Sequence, residues 1–196
     1  STAGYKGEHV VFESLVQKDA GAGQDPASFV SDSGSYIDTR PGALTQTGNP
    51  LDVALHGDGW FSYQTPDGQK SYGRDGSFTL DPDGNLVLLS GAKVLDNGGA
   101  PIMLPTQGMG ELSISEDGTI SGAGSGPLAR IGVFDIPEIQ SYRRTGAGML
   151  VAPEDAAAPR PAIATQVMQG ALEMSNVNPI REMTRLIDVQ RAYERT

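Results

Sequence analysis

Ser90-Gly-Ala-Lys93 places a hydroxyl and an amine at the S-x-x-K spacing of acyl-transfer enzymes. That chemistry needs both side chains on one helix face, so that a base can take the hydroxyl proton. Here the tetrapeptide contains Gly91 and lies between apolar β-type runs, which argues for a turn. Asp81-Pro-Asp83-Gly84-Asn85 resembles the opening of a calcium loop. The EF-hand form also needs Gly at its sixth position and a bidentate Glu at its twelfth. Leu86 and Ala92 stand there instead, so a hairpin turn is the expectation. The Gly-x-Gly pieces beginning at Gly21, Gly57, Gly122 and Gly146 lack the further glycine of a dinucleotide fingerprint and read as turns. Carboxylates are plentiful, but a glycosidase pair needs two of them held across a cleft, which a sequence does not show. Trp60, Tyr63 and Tyr72 would make either a sugar-stacking platform or core and cross-strand pairs. No catalytic, metal or cofactor site is assigned, and no small-molecule substrate is expected.

The composition narrows the classes further. The 196 residues suit one domain, or one domain with appendages. Lys and Arg number 14 against 24 Asp and Glu, a net charge of −10. Such a surface repels phosphate, and the dipeptide Arg143-Arg144 is no basic patch, so nucleic acid is not an expected partner. With no cysteine there is neither a disulfide framework nor thiol chemistry. His9 and His56 are far apart and form no evident metal pair. No apolar run approaches the ~20 residues that span a bilayer. The start, Ser1 to Tyr5, has no initiator Met and no signal-peptide pattern. The end, Ala192 to Thr196, has no helix-stopping Gly or Pro. We therefore expect natural residues before Ser1 and a helix that continues past Thr196.

Three zones follow along the chain. Residues 1–46 read as an irregular N-terminal connecting segment. Val10, Val11, Phe12, Leu15 and Val16 make one short strand or helix, and Lys18 to Ser35 reads as a loop. Residues 47–152 read as a β-rich central domain. Asp-Gly pairs begin at Asp58, Asp67, Asp75, Asp83 and Asp117, the first four spaced 9, 8 and 8 residues apart. Asp-Gly is a type I′ hairpin signal, and this spacing fits a short-stranded meander or barrel-like fold. Alternation pairs Val53 with Leu55, Phe61 with Tyr63, Phe78 with Leu80 and Leu112 with Ile114. Leu86 to Leu89 reads as a strand covered on both faces. Ile131, Val133 and Met149 to Val151 read as a further strand pair.

Residues 153–196 read as a linker and then a helix. Three prolines fall in 153–162. Asn178 suits an N-cap and Pro179 the first helical turn. Ile180, Met183, Leu186, Ile187 and Tyr193 then recur at helical spacing. Residues 175–196 carry four arginines against three acids, so the remainder carries −11. A helix this short is marginal alone. Its stripe packs either on its own β-domain or in an interchain bundle. The fold class is thus mainly β with helical terminal segments.

Several segments together resemble the flagellar basal-body rod and hook proteins. At the start Ser1-Thr-Ala-Gly4-Tyr5-Lys6 resembles the end of the family's N-terminal signature, which implies a connecting segment over 1–46 that follows a missing N-terminal helix. The central block Thr47-Gly-Asn49-Pro-Leu51-Asp52-Val-Ala-Leu55 is followed by Gly57-Asp-Gly-Trp-Phe61. Arg74-Asp75-Gly76-Ser-Phe78 comes next, with Asp81 and Gly84 to Val87. Near the end stand Gly170-Ala-Leu-Glu173, Ser175-Asn176-Val-Asn178, Glu182-Met183 and Gln190 to Glu194. The stretch from Gly42 to Leu55 with its Gly-Asp-Gly looks more like the proximal than the distal rod branch. Trp60 replaces the usual Phe of that block, and Gly73 stands where Thr or Ser is common.

The resemblance implies a non-enzymatic axial protein of the bacterial flagellar basal body. It would be exported without a cleavable signal by the flagellar type III route. It would polymerise with copies of itself and with proximal and distal rod proteins into a periplasm-spanning drive shaft. The Ile180–Tyr193 stripe would serve as its partner interface. Readings of another class are a secreted β-rich adhesin or a carbohydrate-active enzyme.

Overall fold

The computed structural model describes residues 3–16, 28–106 and 110–177, with residues 8–35 described by backbone pairing alone. The expected helix, with Asn178, Ile180, Met183, Leu186, Ile187 and Tyr193, lies outside the described residues.

The strand Trp60–Gln64 is the spine of the body. Its side chains from Trp60 to Tyr63 are all buried, so both of its faces are covered. It anchors a nine-stranded antiparallel sheet. Lys70–Gly73 lies on one side, followed by Leu150–Val151 and Arg143–Arg144. Lys93–Val94, Leu86–Leu88 and Phe78–Leu80 follow on the other. Val133–Asp135 also pairs with the spine, Phe134 opposite Trp60, and carries Arg160–Pro161 on its far edge. A separate meander joins Leu112–Ile114, Thr119–Gly122 and Gly126–Arg130. The class is mainly β, as expected, and among the described residues the sheets do not close into a barrel.

The Asp-Gly expectation holds at three of its five places. Asp67-Gly68, Asp83-Gly84 and Asp117-Gly118 each reverse the chain between adjacent strands. The geometry differs from type I′, which needs positive φ at both central residues. Here the glycines are left-handed, near +84°, and the aspartates are not. The same pattern recurs at Gly91, Gly99 and Gly148. In each turn the glycine N–H donates to the carbonyl three residues back, and that earlier residue's N–H donates to the one after the glycine. This is a type I turn closed by a left-handed residue, the three-residue hairpin loop. Asp81 and Asp96 cap their own turns by accepting two backbone N–H bonds on one carboxylate oxygen. Ser90 and Lys93 sit around the Gly91 turn rather than on a helix face. Leu89 leaves the strand there and is 89% exposed, contrary to the expected covered run.

The core explains the aromatics. Phe61, Tyr63, Phe78, Leu86, Leu104, Ile120 and Ile131 fill the main cluster, with Phe61 and Phe78 edge to face at 5.3 Å. Trp60 and Tyr72 belong to a second cluster with Phe134, Tyr142 and Leu150. All three candidate sugar-platform residues, Trp60, Tyr63 and Tyr72, are therefore buried core side chains.

Three local expectations are corrected. The stretch Lys18 to Ser35 is not all loop, because Ser28–Ile37 is a strand paired with Glu8–Val16. Val133–Asp135 and Leu150–Val151 do not pair with each other but lie on different sides of the sheet. The chain after the prolines forms further strands. Gln166–Gln169 pairs with Val53–His56, and Ala171–Glu173 pairs with Leu44–Gln46. These pairings join segments more than 100 residues apart, which local periodicity cannot report.

Candidate functional site: a buried ionic clamp of Lys6, Arg74 and Glu173

Two buried cations from distant segments meet one buried carboxylate. Lys6 and Arg74 are 3% and 4% exposed, and Glu173 is 1% exposed. The Lys6 ammonium donates to Glu173 Oε1 at 2.5 Å, and Arg74 Nε donates to Oε2 at 2.8 Å. Gly42 N–H adds a bond to Oε1 at 2.8 Å. The second cation is balanced by backbone dipoles and by the nearby charge of Asp38. Arg74 donates to the carbonyls of Leu55, Gly57 and Gly59, and Lys6 donates to that of Arg40. Such charge-assisted bonds offset the cost of taking ions out of water, which is several kcal/mol each.

Burial alone would push the Glu173 carboxyl up. The Arg74 charge, the Lys6 ammonium and the Gly42 N–H outweigh it and hold the carboxyl below its usual range. A carboxylate depressed in the folded state stabilises the fold above its unfolded pKa of about 4.3 and loses that contribution as pH falls through the folded value. We expect the urea midpoint to drop on acidification below about pH 4.3, with a shallower drop in Glu173→Gln. Parallel curves for both proteins would exclude Glu173 as a source of the slope.

The segments around the clamp approach backbone to backbone. Gly4 has φ +62°, and a Cβ there would lie 2.2 Å from the Arg74 carbonyl carbon. Gly42 meets the Met174 carbonyl at 1.8 Å in the same sense. The Gly4 N–H donates to the Glu173 carbonyl at 2.7 Å. Asn176 then stitches three segments together. Its Oδ1 accepts the Gly7 N–H at 2.7 Å, and its Nδ2 donates to the carbonyls of Asp38 and Arg40. The Tyr5 carbonyl accepts the Asn176 N–H, and the Tyr5 ring lies under the Arg144 guanidinium at 4.7 Å. Ser175 Oγ accepts the Val177 N–H.

A second polar knot lies next along the chain. Asp52 accepts from Thr47 Oγ1 at 2.6 Å and from Asn49 Nδ2 at 3.0 Å, while its carbonyl receives the Gly170 N–H. Asn49 Oδ1 accepts the Leu51 N–H, and Leu51 packs on the main core. Asp75 accepts the Ser77 N–H, its carbonyl receives the Tyr63 hydroxyl, and burial raises its carboxyl pKa. Gly76 packs on the Val53 carbonyl, and Phe78 is a core side chain.

Most of the motif residues therefore converge. Gly4, Tyr5, Lys6, Arg74, Ser175 and Asn176 surround Glu173, whereas Asn49, Leu51 and Asp52 brace Gly170 beside it. The central carboxylate of Glu173 and the close approach at Gly42 were not singled out as site residues from sequence. The available signal was chemical: a lysine and an arginine inside a core require an anion.

This arrangement assigns a structural class, a β-body that fastens residues 4–7 and 38–42 to residues 173–176 at one point. Comparisons give the family. Residues 54–122 match the family described as flagellar hook protein FlgE/F/G D1 domain, and residues 168–195 match flagellar basal body rod FlgEFG protein C-terminal. The chain is 38% identical to a flagellar basal-body rod protein FlgF of Mesorhizobium japonicum, over 100% of this chain and 79% of that protein. It is 37% identical to the FlgF of Caulobacter vibrioides, over 99% and 78%. A FlgG rod protein of Buchnera aphidicola is 32% identical, over 99% and 82%. The chain belongs to the flagellar basal-body rod protein family, FlgF type, with FlgG as the paralogous branch.

Proposed function

We infer that this chain is a structural subunit of the bacterial flagellar basal-body rod, in its proximal part, where it joins copies of itself and other rod proteins in a helical shaft that transmits torque. The observation that carries the reading is the Lys6–Glu173–Arg74 clamp. It brings the N-terminal segment and the segment that leads to Asn178 to one point of a braced β-body. Terminal segments fastened side by side can enter a shared axial layer together, while the body serves as an outer spacer. Heterologous contacts that do not close then propagate a filament. The apolar stripe Ile180, Met183, Leu186, Ile187 and Tyr193 supplies association energy through burial. A chain without cysteine can reach the growing tip through the flagellar export apparatus without thiol mispairing.

The test is Ile187→Asp in the complete protein. We expect a folded β-body, loss of the subunit from isolated basal bodies and loss of swimming. Normal motility in that variant would rule out the stripe as the assembly contact.

A further inference from the structure

The sequence holds one Asn-Gly pair, Asn97-Gly98, which lies outside the clamp and the polar knot. Asn-Gly is the dipeptide most open to a spontaneous reaction of the main chain. The glycine amide nitrogen bonds to the asparagine Cγ, the Cγ–Nδ2 bond breaks, and ammonia leaves with the amide proton. Water then opens the resulting succinimide at either carbonyl, giving aspartate or isoaspartate. Glycine favours the attack because it has no Cβ to hinder it. Asn97 and Gly98 are both exposed, so water and hydroxide reach them.

The fold puts a carboxylate on the attacking atom. The Gly98 N–H donates to Asp96 Oδ1 at 2.8 Å, and the Ala100 N–H donates to the same oxygen at 2.8 Å. The closing bond of this turn belongs to Gly99, whose N–H donates to the Asp96 carbonyl at 3.0 Å. That leaves the Gly98 N–H to the Asp96 side chain, an Asx turn. Asp96 is itself fixed to the body, because its N–H donates to the Ala100 carbonyl and it bridges to Ile131. The amide nitrogen attacks only after losing its proton. A carboxylate is too weak a base to take that proton, and its negative charge opposes the anion that would form. The Lys70 ammonium lies near Gly99, where its charge favours the anion, but Asp96 is in direct contact with the N–H and outweighs it.

We propose that Asn97 is a deamidation site whose reaction the folded turn suppresses, with Asp96 as the group that holds the Gly98 N–H. Protection therefore begins with folding. The unfolded chain reacts as an open Asn-Gly peptide does, and the folded body does not. Reaction would damage more than the turn itself. Isoaspartate inserts a methylene into the main chain between Leu95 and Pro101, which bridge each other, and Leu95 and Ile102 are buried core residues. The inference rests on this turn and not on the rod reading.

The test ages the full 196-residue parent, Asp96→Ala and Asp96→Asn in mildly alkaline buffer, folded and in concentrated urea. Peptide mass spectrometry reads the replacement of the Asn97 amide by an acid and the isoaspartate fraction. Folded Asp96→Ala should react about tenfold faster than the folded parent, the factor that a hydrogen bond to a charged group is worth. Asp96→Asn keeps an oxygen acceptor without the charge and should fall between them. In urea the three proteins should react at one rate. Equal rates for the folded parent and folded Asp96→Ala would overturn the proposal. So would a tenfold gap that persists in urea, because local sequence rather than the held turn would then set the rate. A folded Asp96→Asn that reacts faster than Asp96→Ala would overturn the role given to the oxygen acceptor.

Discussion

Glu173→Ala is expected to lower unfolding stability by about 3–5 kcal/mol, measured as a shift in the urea midpoint at neutral pH. The magnitude follows from what is left behind. Removing the carboxylate strands two buried cations, and breaking a buried ion pair from one side costs several kcal/mol. Glu173 also accepts the Gly42 N–H, so one backbone donor loses its partner as well. Against a total stability of about 5–15 kcal/mol for a typical domain, this is a large fraction. An all-apolar replacement of Lys6, Arg74 and Glu173 should not rescue it. In other proteins such replacement is often neutral, but here the cations also satisfy the carbonyls of Arg40, Leu55, Gly57 and Gly59. Limited proteolysis should show the consequence for assembly, with early cleavage near Gly7 in Glu173→Ala and not in the parent protein. A loss below about 1 kcal/mol would mean that the cluster is screened by water, and the clamp would cease to explain how residues 4–7 are held against residues 173–176.

The residues that sequence reading placed well are those whose partners are close in the chain. Asp67-Gly68, Asp83-Gly84 and Asp117-Gly118 close hairpins between strands a few residues apart, and alternation put Phe61 and Tyr63 on one face, which lies in the main core. The same dipeptide misled at Asp75-Gly76, where glycine is needed for a close approach rather than a turn. The strands Gln166–Gln169 and Ala171–Glu173 were hidden for a related reason. They are short, follow three prolines, and pair with Val53–His56 and Leu44–Gln46 far upstream. Only the tertiary fold specifies such pairs. Resemblance found most of the clamp's outer residues, because Lys6, Arg74 and Asn176 belong to quoted motifs. It did not reveal that Glu173 is the common partner of Lys6 and Arg74, since no spacing rule links positions 6, 74 and 173.

Gly76→Ala tests the close approach directly and should cost about 3–4 kcal/mol through overpacking and a lost backbone hydrogen bond. A Cβ at Gly76 would lie 1.6 Å from the Val53 carbonyl oxygen and 2.7 Å from its carbonyl carbon. Both atoms are backbone, so no side chain can swing aside. The Val53 N–H donates to the Gly76 carbonyl at 2.9 Å, and the strand Val53–His56 is held on its other side by Gln166–Gln169. Relief would require that strand to move, and Val53 and Leu55 are both in the core. Gly68→Ala provides the contrast. Its φ is +86° and nothing lies within 4 Å of the added methyl, so only the left-handed backbone penalty of about 1–2 kcal/mol applies. The expected order of urea midpoints is parent, then Gly68→Ala, then Gly76→Ala. If Gly68→Ala proved the more damaging, backbone conformation rather than space would govern these glycines. The packing of the Arg74-Asp75-Gly76 segment against Val53 would then contribute little to holding the clamp.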